Sequence, residues 1–450
     1  MSATASSRVS WLSSARALIA NPIVLWGAFV LVHFWLGMLN LYATGLPLGD
    51  VSIVYKFWTD QAIVAHFWVG IDSSWVYPIV AMVPMLVARI FGPELYSSTW
   101  LSLVMLLDAV ALGMLTGWGR SRQNVAVGWW WIGFLILLGP ISLGRIDSIT
   151  VPIAIVGALL IASRPRAATV MLTVATWIKV WPAAIIVAMV IALRDRGRII
   201  LTGLVTSLMI VAVALALGSG LNVFSFITQQ TSRGLQVESP ISNIWLWQAF
   251  ARVPNTFVYY DTTVLTWQVR GAGVESASAF MTPLMVLAAL AIAMIAVLAL
   301  RNGASVADLL PSLSLAFITA SIAFNKVGSP QYMTWLAVPV ILGLVANAAG
   351  HGRPFRTPAI LVLVLAALTQ AFYPYLYYLL LGLNPVILLV LSARNLLLFV
   401  LLGWAIASLW QASRASAETL ALADEGTWLP VVWPFSAVMT PGLDPDLKKN

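Results

Sequence analysis

A few polar side chains stand out in an otherwise apolar chain, and their types suggest acid/base and anion-binding chemistry. Asp50 in "LPLGDVSIVYKFWTDQ" is a carboxylate that follows the first long apolar run. It can cap the helix that starts there, because Asp is a favoured N-cap and its charge suits the helix dipole. It can equally be a general base, which needs only a carboxylate within about 3 Å of a reacting hydroxyl. Lys179 in "TWIKVWPAA" and Arg394 in "LLVLSARNLLLF" lie about ten residues inside apolar segments. A cation at that depth is costly, and it faces a cavity or an anionic partner. For Arg394 that partner is a buried carboxylate such as Asp108, or a lipid phosphate. "GRIDSI" carries Arg145 and Asp147, which read either as part of a site or as a surface ion pair capping the next helix. "AFNKVGSPQYMTWL" gathers Asn325, Lys326, Ser329, Gln331 and Tyr332 at a helix break. That set suits a sugar or a phosphate, or it is a helix stop with Pro330 opening the next span. His33 and His66 have no histidine at metal-ligand spacing, so a divalent metal or other cofactor is not implied.

The elements that hold these residues are membrane helices. The chain has 450 residues, 61% hydrophobic and 9% charged, with a mean hydropathy of +0.93. Soluble proteins carry about 25% charged residues, so the composition gives an all-α polytopic membrane protein without a soluble domain. The absence of cysteine rules out disulfides and thiolate sites. The net charge of +8 comes largely from arginines in short loops, where they set orientation, and it does not point to nucleic acid. The first span lacks a signal-peptide cleavage site and reads as retained.

Ten strong spans read as 21–42, 99–117, 125–143, 149–163, 199–218, 278–300, 308–324, 332–350, 358–378 and 385–410. Two further apolar stretches are interrupted: 76–91 by Pro78 and Pro84, and 168–193 by Lys179 and Pro182. Placing the arginine clusters on the cytoplasmic side makes 168–193 a hairpin of two half-helices bent near Lys179. The stretch 77–91 then enters and leaves from the outside. Two ordinary spans with misplaced arginines are the alternative. Broken helices need a protein or water-filled environment, so the expected site is a polar cavity open to the outer face. That face carries loops 46–76 and 219–277, with a cytoplasmic segment 1–20, a transmembrane domain 21–411 and a disordered cytoplasmic tail 412–450. In 51–67, Val51, Val54, Tyr55, Trp58 and Ala62 share one face of an amphipathic interfacial helix. Loop 219–277 holds Gln229, Gln230, Arg233, Glu238, Asn243, Trp245 and Trp247. Aromatics among amides suit carbohydrate or an interfacial belt.

In this order, "GDVSIVY", "WVYPIVAMVP", "GRIDSI", "IKVWP" and "NKVGSPQYMTWL" resemble the polyprenyl-phosphate-mannose-dependent α-1,2-mannosyltransferases of actinobacteria. This is the PimE-like family of GT-C membrane glycosyltransferases, and the resemblance spans about residues 20–410. It implies a GT-C-type fold with about 10–12 transmembrane helices. It also implies hexose transfer, mannose in the family, from a polyprenyl phosphate to a glycolipid or cell-envelope glycan at the outer face of the plasma membrane. Asp50 matches the family's first-loop aspartate, the general base. Lys179, Lys326, Arg394 and Arg145 are the expected contacts to the donor phosphate. Tyr55, Tyr77, Asp147, Asn243, Gln331 and Tyr332 are the expected contacts to sugar or acceptor. The chain departs from the family at Arg145, where Gln is common, and at Ile79, where a second Pro is common. It also lacks a histidine shortly after the Ser-Pro turn, where only Gln331, Tyr332 and Trp335 stand. A lipid or glycan transporter predicts paired interrupted helices in two halves, whereas both interruptions here fall in the first half. A non-catalytic glycolipid scaffold predicts that Asp50, Lys179 and Lys326 do not converge.

Overall fold

The computed structural model describes residues 20–229 and 234–422. Most of the expected N-terminal segment, the tail from 423, Gln230 and Arg233 lie outside the described residues. The helices, in chain order, are α1 (Pro22–Tyr42), α2 (Lys56–Val64), α3 (Met82–Val87), α4 (Tyr96–Leu115), α5 (Arg122–Leu138), α6 (Asp147–Leu160), α7 (Pro165–Ile178), α8 (Ala183–Ala192), α9 (Arg196–Ala216), α10 (Ser225–Thr228), α11 (Asn243–Phe250), α12 (Val274–Arg301), α13 (Val306–Ala323), α14 (Ala337–Ala348), α15 (Arg356–Phe372), α16 (Tyr377–Leu381) and α17 (Pro385–Leu422). Among the described residues, eight segments are long and apolar enough to cross a membrane. The shorter α6 and α15 complete the ten spans expected from hydropathy. The last helix runs to Leu422, beyond the boundary expected at 411. α15 ends at Phe372, short of the expected 378, because Pro374 cannot continue it.

Burial sorts the helices. The windows of α13 and of the segment Pro330–Ala348 are 83% buried and form the centre. α9 and α12 are only 11% and 17% buried, and present apolar side chains outward to lipid. α1 and α4 run antiparallel: Trp118, just past α4, stacks on Trp26 near the start of α1. Midway between them His33 Nε2 lies 3.0 Å from Asp108 Oδ2. Asp108 is therefore matched by His33, not by Arg394.

The two interrupted stretches take the expected forms. α7 and α8 are separated by Lys179–Pro182, where Lys179 is extended and Pro182 opens the next helix. Trp177 on α7 donates to Ser207 on α9 at 3.0 Å, and Gly203 lies against Thr169 and Thr173. Rising residue numbers on α9 follow rising numbers on α7, so the two helices are parallel and α8 must return between them. The stretch 168–193 is a hairpin with Lys179–Pro182 at its tip. The helical part of 77–91 is confined to Ile79–Ala81 and α3, too short to cross. The chain then returns to the surface it left, where Arg89 Nε donates to Asp60 at 2.9 Å.

One element has no counterpart in the sequence reading. Within loop 219–277, β1 (Phe257–Asp261) and β2 (Thr266–Arg270) form an antiparallel hairpin. The alternating run "TFVYYDTTVLTWQVR" carried that signal, but its brevity among spans hid it.

Candidate active site

Five segments meet at the end of the bundle away from the arginine-rich loops. Asn222 donates to the Ile71 carbonyl at 2.7 Å, and Ser225 receives a hydrogen bond from the Trp75 amide at 2.8 Å. The Gln236 amide donates to the Lys326 carbonyl at 3.0 Å. The Tyr377 hydroxyl donates to Glu238 at 2.6 Å. Gly328 sits against the backbone of Glu238 and Ser239, with no room for a Cβ, so glycine is what lets the 325–329 turn dock on loop 219–277.

Asp50 opens a π-wound turn, Asp50–Tyr55, that leads into α2. Single π-turns recur at functional sites because the extra residue re-aims side chains. Its carboxylate caps no amide. Instead Oδ2 lies 3.1 Å from Arg145 Nε, with the Asp50 side chain 42% exposed and that of Arg145 8% exposed. The expected surface pair of Arg145 with Asp147 is therefore replaced by a pair with Asp50. Arg145 Nη1 also donates to the Pro47 and Gly144 carbonyls, each at 2.8 Å. Nη2 donates to the Tyr373 hydroxyl at 2.6 Å. Gly144 makes this possible: a Cβ there would meet the Pro47 carbonyl and Asn40 Oδ1. Three of the five guanidinium N–H directions are thus spent on the Pro47 and Gly144 carbonyls and the Tyr373 hydroxyl, which makes Arg145 an anchor for its ion-pair partner Asp50. Burial by itself would lower its pKa. Asp50 and the surrounding tyrosine hydroxyls outweigh that, and hold it more firmly charged than a free arginine.

The buried face of the 50–64 helix is as the periodicity predicts, with Val51, Tyr55 and Ala62 fully buried and Thr59 added. Tyr55 lies 3.3 Å from the Tyr77 hydroxyl and receives the Ile146 amide at 3.3 Å. Burial, with Tyr77 and Asp50 nearby, pushes the Tyr55 phenol well above its ordinary range. Tyr55, Trp58, Trp75 and Tyr77 form one aromatic wall with ring centroids 5.3–6.1 Å apart. Lys179, at the hairpin tip, places its ammonium 4.7 Å from the Tyr77 ring centroid and 5.9 Å from that of Tyr332. Tyr332 stacks on Trp335 at 4.1 Å, and Trp335 on Trp181 of the tip at 5.6 Å. Cation–π contacts of this kind hold a lysine head in a desolvated place. Asp50, Lys179 and the 325–335 turn therefore stand around one aromatic-lined surface.

Other expected residues do not face it. Asp147 is fully buried; Oδ1 accepts from Trp335 Nε1 at 2.6 Å. Arg394 is fully enclosed: Nη1 donates to Asn395 at 2.7 Å and Nη2 to the Gly328 carbonyl at 3.4 Å, over the Phe372 ring. Placed behind the 325–329 turn, it braces that turn through the Gly328 carbonyl. Asn243 accepts from Asn395 at 3.1 Å in the same layer. Lys326 and Gln331 belong to the turn that borders the surface, and each is 9% exposed. Tyr373 and Tyr377 are the members that sequence reasoning passed over, and Glu238, noted in loop 219–277, is the partner of Tyr377. Burial raises the carboxyl pKa of Glu238 despite its bond from Tyr377 and the charges of Arg394 and Arg145. The tyrosine run "YPYLYY" at 373–378 was the available signal. Among the described residues no group of three or more His, Asp or Glu side chains comes together.

Residues 75–282 match the model of glycosyltransferase family 87. The match covers a little under half of the chain, including Tyr77, Arg145 and the Lys179 hairpin, and supports a membrane glycosyltransferase of the GT-C type. No curated protein and no solved structure matches the chain.

Proposed function

We propose that the protein transfers a hexose, mannose in the reading its sequence resemblance favours, from a polyprenyl-phosphate donor to a hydroxyl of a glycolipid or cell-envelope glycan. Transfer takes place at the outer face of the plasma membrane and inverts the anomeric centre. The observation that carries this reading is the half-exposed Asp50 carboxylate, fixed by a buried arginine beside the aromatic wall that holds Lys179.

The acceptor oxygen bonds to the anomeric carbon as the bond from that carbon to the phosphate oxygen breaks. The acceptor's proton passes to Asp50, and polyprenyl phosphate leaves. Lys179 faces the charge that develops on the departing phosphate, the kind of preorganised interaction that lowers such a barrier most. Since that phosphate is already a good leaving group, a general acid is dispensable. The aromatic wall around Lys179 suits the sugar's CH groups. Arg145 keeps the Asp50 carboxylate in place, and Tyr373 holds Arg145.

The test uses membranes with and without the protein, supplied with radiolabelled polyprenyl-phosphate sugars, followed by analysis of the lipid and glycan products. Label transferred only with the wild-type protein, and lost with Asp50→Asn, supports the proposal. Transfer that is independent of the protein refutes it.

A further inference from the structure

Inside the bundle, α4, α5, the start of α6 and the helical segment Pro330–Leu336 meet around a small cavity of about 10 Å³. Asp108, Trp131, Ser142, Ser148, Pro152 and Thr334 line it, and all are buried. Its walls are rich in acceptors. The Ser142 hydroxyl donates to the Gly139 carbonyl at 2.7 Å, that of Ser148 to the Arg145 carbonyl at 2.6 Å, and that of Thr334 to the Gln331 carbonyl at 2.7 Å. Each hydroxyl proton is therefore committed to backbone, and lone pairs remain. Pro152 lies inside α6. It has no N–H for the carbonyl four residues before it, which is that of Ser148. His33 engages Asp108 through Oδ2, which leaves Oδ1 without a partner among the described residues. The Trp131 indole N–H, also buried, has no hydrogen-bond partner and is a donor to spare. Leaving such groups unmatched is costly. A proline is tolerated in a membrane helix where an ordered water satisfies the carbonyl it frees.

We infer that this cavity binds one ordered water molecule. The water donates to the Ser148 carbonyl and to Asp108 Oδ1, and accepts from Trp131 Nε1. About three bonds is the usual number for a buried water, and one water needs about 10–15 Å³ of such space. A cation would also suit oxygen walls, but charge argues against it. The Phe29 carbonyl accepts from His33 Nδ1 at 2.9 Å, so Nδ1 carries a proton. The proton between Nε2 and Asp108 then leaves the pair neutral wherever it sits, as imidazolium with carboxylate or as imidazole with carboxylic acid. A cation beside that pair would stand uncompensated among apolar helices. The water takes the place of the hydrogen bond that Pro152 cannot make. It ties the first turn of α6, which follows Arg145 directly, to α4 and α5. This site does not depend on the transfer chemistry proposed above.

The test is a cryo-electron microscopy map of the full-length protein in nanodiscs, detailed enough to show ordered waters. The expected result is a single peak within about 2.7–3.2 Å of the Ser148 carbonyl, Asp108 Oδ1 and Trp131 Nε1. No peak in the cavity, or a peak ringed by oxygens alone at shorter distances, as for a cation, overturns the inference. Thermal melts give an independent measurement. Pro152→Ala supplies the Ser148 carbonyl with an N–H of its own. Trp131→Phe is therefore expected to lower the melting temperature less in the Pro152→Ala background than in the wild type, because the two changes share one water. An equal loss in both backgrounds overturns the inference as well.

Discussion

Replacing Asp50 by Asn tests the proposed chemistry while barely disturbing the packing. The amide has nearly the shape of the carboxylate, and Arg145 keeps its bonds to Pro47, Gly144 and Tyr373. The pair is 3.1 Å apart, but the Asp50 side chain is 42% exposed, so loss of its charge costs about 1 kcal/mol of stability or less. The rate is affected differently. An amide cannot take the acceptor's proton, and losing a general base costs about 10²- to 10⁴-fold, or about 3–5.5 kcal/mol of transition-state stabilisation. The assay is the initial rate of label transfer from a radiolabelled polyprenyl-phosphate sugar, with a thermal melt run in parallel. The expected outcome is a fall of at least about a hundredfold in kcat, with KM for the donor nearly unchanged and a melting temperature close to that of the wild type. Transfer within about threefold of wild type would refute the assignment of Asp50 as base. A matching collapse in melting temperature would show that the residue serves the fold.

Three further outcomes follow from the same geometry. Lys179→Met, which keeps an unbranched chain against Tyr77 and Tyr332, is expected to lower kcat by about 10²–10³-fold, read in the same transfer assay. Trp335→Phe removes the donor to the buried Asp147 carboxylate, costing about 1.5–3 kcal/mol. Thermal melts check this, and the loss is expected to shrink in a background of Asp147→Asn. Burial lifts the Glu238 pKa in the folded state. Between the ordinary glutamate pKa and that raised value, the folded chain therefore binds more protons than the unfolded one. This contribution is fully present below the ordinary value and is lost as pH rises through the folded one. Glu238→Gln is expected to flatten the fall in melting temperature as pH rises above the ordinary glutamate range.

Much of the architecture was legible because its signals are local. Runs of apolar residues give the ten spans, since hydropathy and length are properties of contiguous sequence. Lys179 and Pro182 mark the break between α7 and α8 because a cation and a missing N–H interrupt any membrane helix, whatever its neighbours. Arginine placement gave the hairpin and the end of the bundle where the polar segments gather. The buried side of the helix after Asp50 followed from spacing alone. The winding of its first turn did not, since a π-turn and an α-turn share the same apolar faces over so few residues.

The site's wiring lay beyond the sequence. Asp50 and Arg145 are far apart in the chain, and nothing near either residue says that they meet. Without that contact Asp50 reads as a cap, and Arg145 pairs on paper with its neighbour Asp147. Arg394 shows the same limit from the other side. Its depth announced a partner, but only packing chose the Gly328 carbonyl and Asn395 over Asp108, which His33 had already taken. The sequence by itself determined that the chain lies in a membrane, where its helices break and which residues are too polar to be idle. The tertiary structure decided which of those residues face the shared surface and which brace it from behind. The physical reason is that insertion energy sums over neighbours along the chain, whereas an ion pair depends on distances set by all the helices packing at once.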